Sequence, residues 1–142
     1  MFIATISKVI VHPVRGVLRF QDYKNLLCDA SGNPLDKMVL QDKKGGFVSG
    51  ASYRVCNATG AEPYVFVHNI DTYRGENRGQ GFATELLGHL LERTGIPMQL
   101  EASKNRVSFY KERGFYPATC QMGEHKADTV LMCIDGLHKF RK

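Results

Sequence analysis

Apolar residues change their spacing along this chain, and the changes mark out strands, turns and helices. Phe2 to His12 is β-branched and apolar, with Ile3, Ile6, Val9, Ile10 and Val11, and this predicts a first strand or long edge strand. Pro13 interrupts it. Val17, Leu18, Phe20, Tyr23, Leu26 and Leu27 recur at loosely helical spacing, which predicts a short helix at about residues 19–28. Ala30-Ser31-Gly32-Asn33-Pro34 is a turn cluster. Met38 to Gln41 and Phe47 to Cys56 flank the turn Asp42-Lys43-Lys44-Gly45-Gly46 and read as a hairpin. Tyr64 to Ile70 is a further strand after the turn at Asn57 to Pro63.

The second half is more sharply punctuated. Phe82, Ala83, Leu86, Leu87, Leu90 and Leu91 form one broad apolar face at helical spacing, while Glu85, Glu92 and Arg93 fall largely off it. Gly95 and Pro97 end that helix. Met98, Leu100 and Ala102 alternate, as a strand requires. Asn105 to Arg113 reads as a second short helix with Asn105 as its N-cap and Gly114 as its C-terminal glycine. Phe115 to Cys120 and Thr129 to Ile134 make a last hairpin around a loop at 121–128.

Composition narrows this only a little. The 142 residues suit one domain, 1–142, around one core. No stretch reaches the length of a membrane span and no secretion signal is evident, so a cytoplasmic protein without membrane partners is expected. Cys28, Cys56, Cys120 and Cys133 form no metal spacing with the histidines, so no metal is expected and the cysteines read as reduced and mostly buried. The net charge of +5 fits an anionic cofactor, nucleic acid or an ordinary soluble surface, and by itself decides among none of them.

The stretch that changes the picture is Arg78-Gly79-Gln80-Gly81-Phe82-Ala83, between the Tyr64 strand and the helix it opens. Glycines let the backbone curl close to a ligand, and the first N–H groups of a helix have no intrahelical partner, so strand, glycine turn and helix make an anion site. A tight turn that uses glycine for geometry alone is the bland alternative.

Arg78, Gly81 and Ala83 resemble the acyl-CoA pyrophosphate motif of the GNAT superfamily of N-acetyltransferases, R/Q-x-x-G-x-G/A. Further on, Phe109-Tyr110 followed by Gly114-Phe115 resembles the second signature of that family, and the two occur in the expected order. The resemblance covers roughly residues 60–118. It implies an α+β, three-layer fold: a mixed, mostly antiparallel sheet of six to seven strands flanked by helices, splayed between its fourth and fifth strands. It also implies one or two helices of the acceptor site within the region that follows the first strand. The chain departs from the family in the long link Asp71 to Asn77; Ile70 is the choice for the cofactor-binding backbone amide that meets the thioester carbonyl, and Tyr73 is its rival.

The resemblance implies direct acetyl transfer from acetyl-CoA to a primary amine on a protein, a small molecule or another acceptor. Backbone groups of Gly79, Gln80, Gly81, Phe82, Ala83 and Thr84 would hold the pyrophosphate, with charge from Arg78 or Arg74. Asn105 is a further cofactor candidate, although its place reads first as a cap. Tyr110 is the expected acid for the leaving thiolate, since a phenol with a pKa of about 10 can protonate a thiolate of about 8.5 with modest mismatch; packing against Phe109 and Phe115 is its alternative role. For the base, His68 titrates near neutrality, with Asp71, Glu101 or a water chain as rivals. A non-catalytic acyl-CoA sensor and a nucleic-acid-modifying or nucleic-acid-binding protein are the competing functions, with nucleic acid a less favoured partner. A monomer or a homodimer fits the chain.

Overall fold

The computed structural model describes residues 4–57, 60–72, 81–118 and 128–142. Among the described residues the strands and α-helices follow in the order β1 (Ala4–His12), β2 (Gly16–Cys28), β3 (Pro34–Gln41), β4 (Phe47–Cys56), β5 (Tyr64–Thr72), α1 (Phe82–Thr94), β6 (Met98–Ser103), α2 (Val107–Glu112), β7 (Tyr116–Pro117) and β8 (Thr129–Ile134). The sheet is mixed and mostly antiparallel, in the order β1-β2-β3-β4-β5-β6-β8-β7. Among the described residues it has eight strands, more than the six to seven expected.

The extra strand comes from the region expected to be a helix at 19–28. That region belongs to β2, paired with β1 on one side and β3 on the other. The burial period explains the correction: Leu18, Phe20 and Asp22 are buried while Val17, Arg19, Gln21 and Tyr23 are half-buried, which is a period of two. Two things disguise it in the sequence. Asp22 puts a polar residue on the buried face, and the register shifts between Tyr23 and Leu27, where Asn25 takes a φ of 54°. Beyond that irregularity Leu26 and Leu27 fall out of phase and mimic helical spacing.

The chain forms two compact units, residues 1–54 with 69–87, and 55–68 with 88–142. In the first, β1 to β4 run antiparallel around Leu18, Phe20, Met38, Leu40, Val48 and Ala51. Their turns use the expected chemistry. Asp29 Oδ1 accepts from the backbone N–H groups of Ser31 and Asn33, both at 2.9 Å. Asp42 Oδ1 accepts in the same way from Lys44 at 3.0 Å and Gly46 at 2.7 Å.

In the second unit β5 pairs in parallel with β6, and β6 runs antiparallel to β8 over six residue pairs. Val65, Val67, Met98, Leu100, Met132 and Ile134 are buried there. The C-terminal residues are docked, since Arg141 N–H donates to the Arg113 carbonyl at 2.9 Å and a Cβ added at Gly88 would lie 2.9 Å from the Phe140 ring. Of the cysteines described, Cys28 is exposed and Cys56 and Cys133 are half-buried, all free; the expectation of mostly buried thiols is not met.

Candidate functional site

In the first unit the end of β5 and the start of α1 carry the candidate residues. Ile70 is half-buried near the end of β5. Beyond it, the Asp71 carbonyl accepts from the buried Ser49 hydroxyl at 2.8 Å, and the Asp71 carboxylate accepts from Asn69 Nδ2 at 2.9 Å. Arg74, Tyr73, Arg78, Gly79 and Gln80 lie outside the described residues.

Gly81 stands immediately before α1 with a φ of 82°, a conformation that favours glycine. Its carbonyl accepts the N–H of Glu85 at 3.1 Å, the first bond of the helical ladder. The N–H groups of Phe82, Ala83 and Thr84 therefore precede that ladder, and such groups give a helix start its affinity for anions. Phe82 and Thr84 are buried and Ala83 half-buried, which anchors the first turn. Phe82 meets the ring of His12, the last residue of β1, at 4.9 Å between centroids. Nothing in the linear sequence linked these two residues; they are seventy positions apart.

In the second unit β5 and β6 share three ladder pairs, Val65 with Met98, Phe66 with Gln99 and Val67 with Leu100. His68 follows the last of these on β5. It is exposed, on the face opposite buried Val65 and Val67, with its ring edge-on to Phe66 at 4.8 Å. The ambiguity between an inward and an outward histidine is thus resolved toward solvent. Glu101, the rival on β6, is also exposed and pairs with Leu131.

Tyr110 sits on α2 and is 8% exposed. Its ring meets Phe109 and Phe115 edge-on at 5.1 and 5.5 Å, so it does pack in the manner of the alternative role. Burial pushes its phenol above the ordinary 10.0, opposed by the charge of Arg106. A raised pKa keeps the phenol a hydrogen-bond donor at neutral pH. Arg106 and Arg113 place their guanidinium carbons 4.5 and 4.7 Å from the Phe109 ring, three residues before it and four after.

Asn105 is not the cap of α2. A 3-10 turn at Lys104–Arg106 precedes the helix, and the residue flanking α2 is Arg106, which makes no side-chain cap bond. Asn105 lies exposed within that turn and its Oδ1 accepts from Ser103 Oγ at 2.6 Å. The inserted turn, invisible to a periodicity reading, moves the cap position from Asn105 to Arg106. The C-terminal glycine is as expected. Phe115 N–H donates to the Tyr110 carbonyl and Gly114 N–H to that of Lys111, both at 3.0 Å, with Gly114 at a φ of 100°. This is a Schellman closure.

No family model matches the chain, and no curated protein matches it. Solved structures do. A protein from Corynebacterium glutamicum named for histone acetyltransferase HPA2 and related acetyltransferases aligns over 72% of this chain and 65% of its own, at 22% identity and a TM-score of 0.53. A GNAT-family acetyltransferase from Desulfovibrio desulfuricans aligns over 71% and 69%, at 15% identity and 0.57. The NatC complex, solved with a Gag peptide and CoA, aligns over 70% of each chain, at 12% identity and 0.57. The chain has the GNAT fold.

The GNAT fold accounts for the order of the later elements here: a strand, the α1 helix, β6, the short α2 and a final antiparallel pair. The departure is at the front. Where the family resemblance implied acceptor-site helices, this chain has the β1–β2 hairpin.

Proposed function

We propose that this protein is an N-acetyltransferase that moves an acetyl group from acetyl-CoA directly to a primary amine. The observation that carries the reading is the start of α1. A glycine with positive φ closes a strand-to-helix link, and the first-turn N–H groups of Phe82, Ala83 and Thr84 lie ahead of the helical ladder. With Gly79, Gln80 and Gly81 these groups would hold the pyrophosphate, and Arg78 would add charge. The CoA held by one of the structural neighbours supports the same ligand.

In this reading the amine nitrogen attacks the thioester carbonyl, and the backbone N–H of Ile70 or Tyr73 steadies the developing oxyanion. The C–S bond breaks, and Tyr110 gives its proton to the leaving thiolate, a role its raised pKa leaves it able to fill at neutral pH. The exposed His68 is the favoured group to take the ammonium proton before attack, directly or through water. The docking of peptide in one neighbour makes a protein amine one acceptor to test, beside small amines.

The packing of Tyr110 between Phe109 and Phe115 favours a second reading, a non-catalytic acyl-CoA sensor, since a residue held by its ring needs no chemical role. Calorimetry with acetyl-CoA, followed by thiol release in the presence of an amine panel, tests both. Micromolar-scale binding with thiol release supports the transferase; binding without release under every amine supports the sensor. No heat and no thermal shift would remove both.

A further inference from the structure

The charged residues within β2, β3 and β4 are mixed in sign along the chain: Arg19, Asp22, Lys24, Asp36, Lys37 and Arg54. The two-residue period of a strand sorts them. Asp22 and Asp36 turn to the inner face, where the Lys24 ammonium stands 3.1 and 3.3 Å from their carboxylates. Arg19 lies between buried Leu18 and Phe20, Lys37 between Asp36 and buried Met38, and Arg54 beyond Tyr53, whose hydroxyl bonds Asp22. All three cations therefore fall on the outer face, and no acidic side chain of these three strands falls there with them.

That face is a built surface. Ladder pairs set Arg19 beside Gln41, Tyr23 beside Lys37, and Gln41 beside Phe47. Gln41 Nε2 donates to the Tyr23 hydroxyl, which donates to Gln21 Oε1, both at 3.0 Å. The Lys37 ammonium lies 5.3 Å from the centre of the Phe47 ring. A Cβ at Gly50 would come within 2.9 Å of that ring and 3.0 Å of Lys37 Cε, so the glycine lets both side chains lie flat on the sheet. At the β1 edge the face is open, since Val9 and Val11, the partners of Arg19 and Val17, are 53% and 77% exposed.

Among the described residues, none of the three cations is held in an ion pair. Lys37 is met by the Phe47 ring, Arg19 donates to the Lys43 carbonyl at 3.0 Å, and Arg54 Nε is buried without a hydrogen-bond partner. Asp29, which feels the charge of Arg54, already accepts from the N–H groups of Ser31 and Asn33. Beside Arg19, Lys43 and Lys44 are exposed in the β3–β4 turn, while Asp42 of that turn is engaged by Gly46 and Arg15.

We propose that the outer face of β2, β3 and β4 binds a single-stranded nucleic acid, with Arg19, Lys37 and Arg54 on its phosphates. The three cations run diagonally over three strands, about 20 Å from end to end, room for several nucleotides. An extended peptide seeks a sheet edge, where its backbone can pair, whereas a polynucleotide has no such pairing to make and lies across a face. Two aromatic side chains, Tyr23 and Phe47, stand among the cations, the mixture that single-strand platforms use. The proposal is independent of the acetyl-CoA reading, and it makes the mixed charge of the sequence a sorted charge in the fold.

Fluorescence anisotropy of the full-length protein with uridine RNA and thymidine DNA strands of about twelve nucleotides tests it. Three phosphate contacts at about 0.7 each give a salt slope near −2, so wild-type affinity should fall roughly twentyfold between about 50 and 200 mM salt. Lys37→Gln and Arg54→Gln, made separately so that a folding defect in one leaves the other, should each bind roughly five- to tenfold more weakly at the lower salt and lose only about sevenfold over the same range. Lys111→Gln, on α2, removes the same charge and should keep the wild-type slope. Binding of either strand supports the proposal, and the tighter of the two names the sugar.

No binding at the lower salt overturns the proposal. So does a slope unchanged in both Lys37→Gln and Arg54→Gln, or one flattened equally by Lys111→Gln, because net charge alone would then be at work. Displacement of the strand by acetyl-CoA would put it at the start of α1 instead, and overturns the proposal. Equal binding of a glutamate peptide of similar length would favour an acidic protein partner and overturn it as well.

Discussion

At the scale of the residue, the group with most at stake outside the candidate site is Asp22. Its carboxylate is 1% exposed on the inner face of β2. The Tyr53 hydroxyl donates to it at 2.7 Å, and the Lys24 ammonium stands 3.1 Å away, also reaching Asp36 at 3.3 Å. A buried carboxylate is tolerable only when so matched. Tyr53→Phe removes the donor and leaves the oxygen buried, so unfolding in urea should show a loss of about 1–3 kcal/mol. A loss below about 0.5 kcal/mol would mean that the other partners of Asp22, Lys24 among them, satisfy it without the hydroxyl.

Tyr110 is a different kind of test. Phe keeps the ring that Phe109 and Phe115 enclose and removes only the hydroxyl. If Tyr110 protonates the thiolate, Tyr110→Phe should lower the rate of thiol release roughly tenfold to hundredfold, with acetyl-CoA affinity unchanged. An unchanged rate would leave the tyrosine a packing residue.

At the scale of the element, the end of α2 is the least forgiving point. Gly114 has a φ of 100°, and a Cβ added there would lie 2.0 Å from the Lys139 carbonyl oxygen. Gly114→Ala meets both backbone strain and a backbone clash, so a loss of at least about 1–3 kcal/mol is expected from the strain alone. The urea midpoint checks it, and a neutral outcome would mean the C-terminal residues can move aside at little cost. The sequence signalled the glycine but not its neighbour. A helix-ending glycine is a local matter, whereas the approach of residue 139 depends on how the chain returns.

The same contrast runs through the other elements. α1 and the β3–β4 hairpin were legible because an apolar face with end signals, or two runs about an Asp–Gly turn, is written within a short window. β2 was misread because its alternation includes a buried aspartate and a register shift, each sensible only beside β3 and Tyr53. Asn105 was misread because a 3-10 turn and an N-cap draw on similar residues.

For the whole molecule, pH and ligand are the two levers. Burial raises the Cys133 thiol above its ordinary 9.0, with Asp135 adding to it. Burial also raises Tyr110 above 10.0, and a hydrogen bond to Asp135 raises the more exposed Tyr116. Each group keeps its proton longer when folded, so its contribution is whole below the unfolded-state value and is lost as pH climbs through the folded one. The urea midpoint should therefore fall from about pH 9 upward; a flat profile to pH 11 would contradict the burial of Tyr110 and Cys133 and the bond between Tyr116 and Asp135. Asp29 runs the other way. The Asn33 backbone N–H holds its carboxyl below the ordinary 3.8, so its contribution is present above that value and fades as pH falls. Acetyl-CoA at a hundred times its dissociation constant should stabilise the fold by about 2.7 kcal/mol, read as a rise in thermal midpoint.

By itself the sequence determined the helix with its glycine-rich entry, most of the strands and turns, and the fold likeness of the later half, because each is encoded by spacing among near neighbours. Only the tertiary structure decided that a hairpin replaces the expected helices, that Asp22 is a buried anion answered by Tyr53, and that His12 rests on Phe82. Those facts belong to pairs of residues far apart in the chain. What places such a residue is the strand or helix laid beside it, and that neighbour is chosen by the fold as a whole.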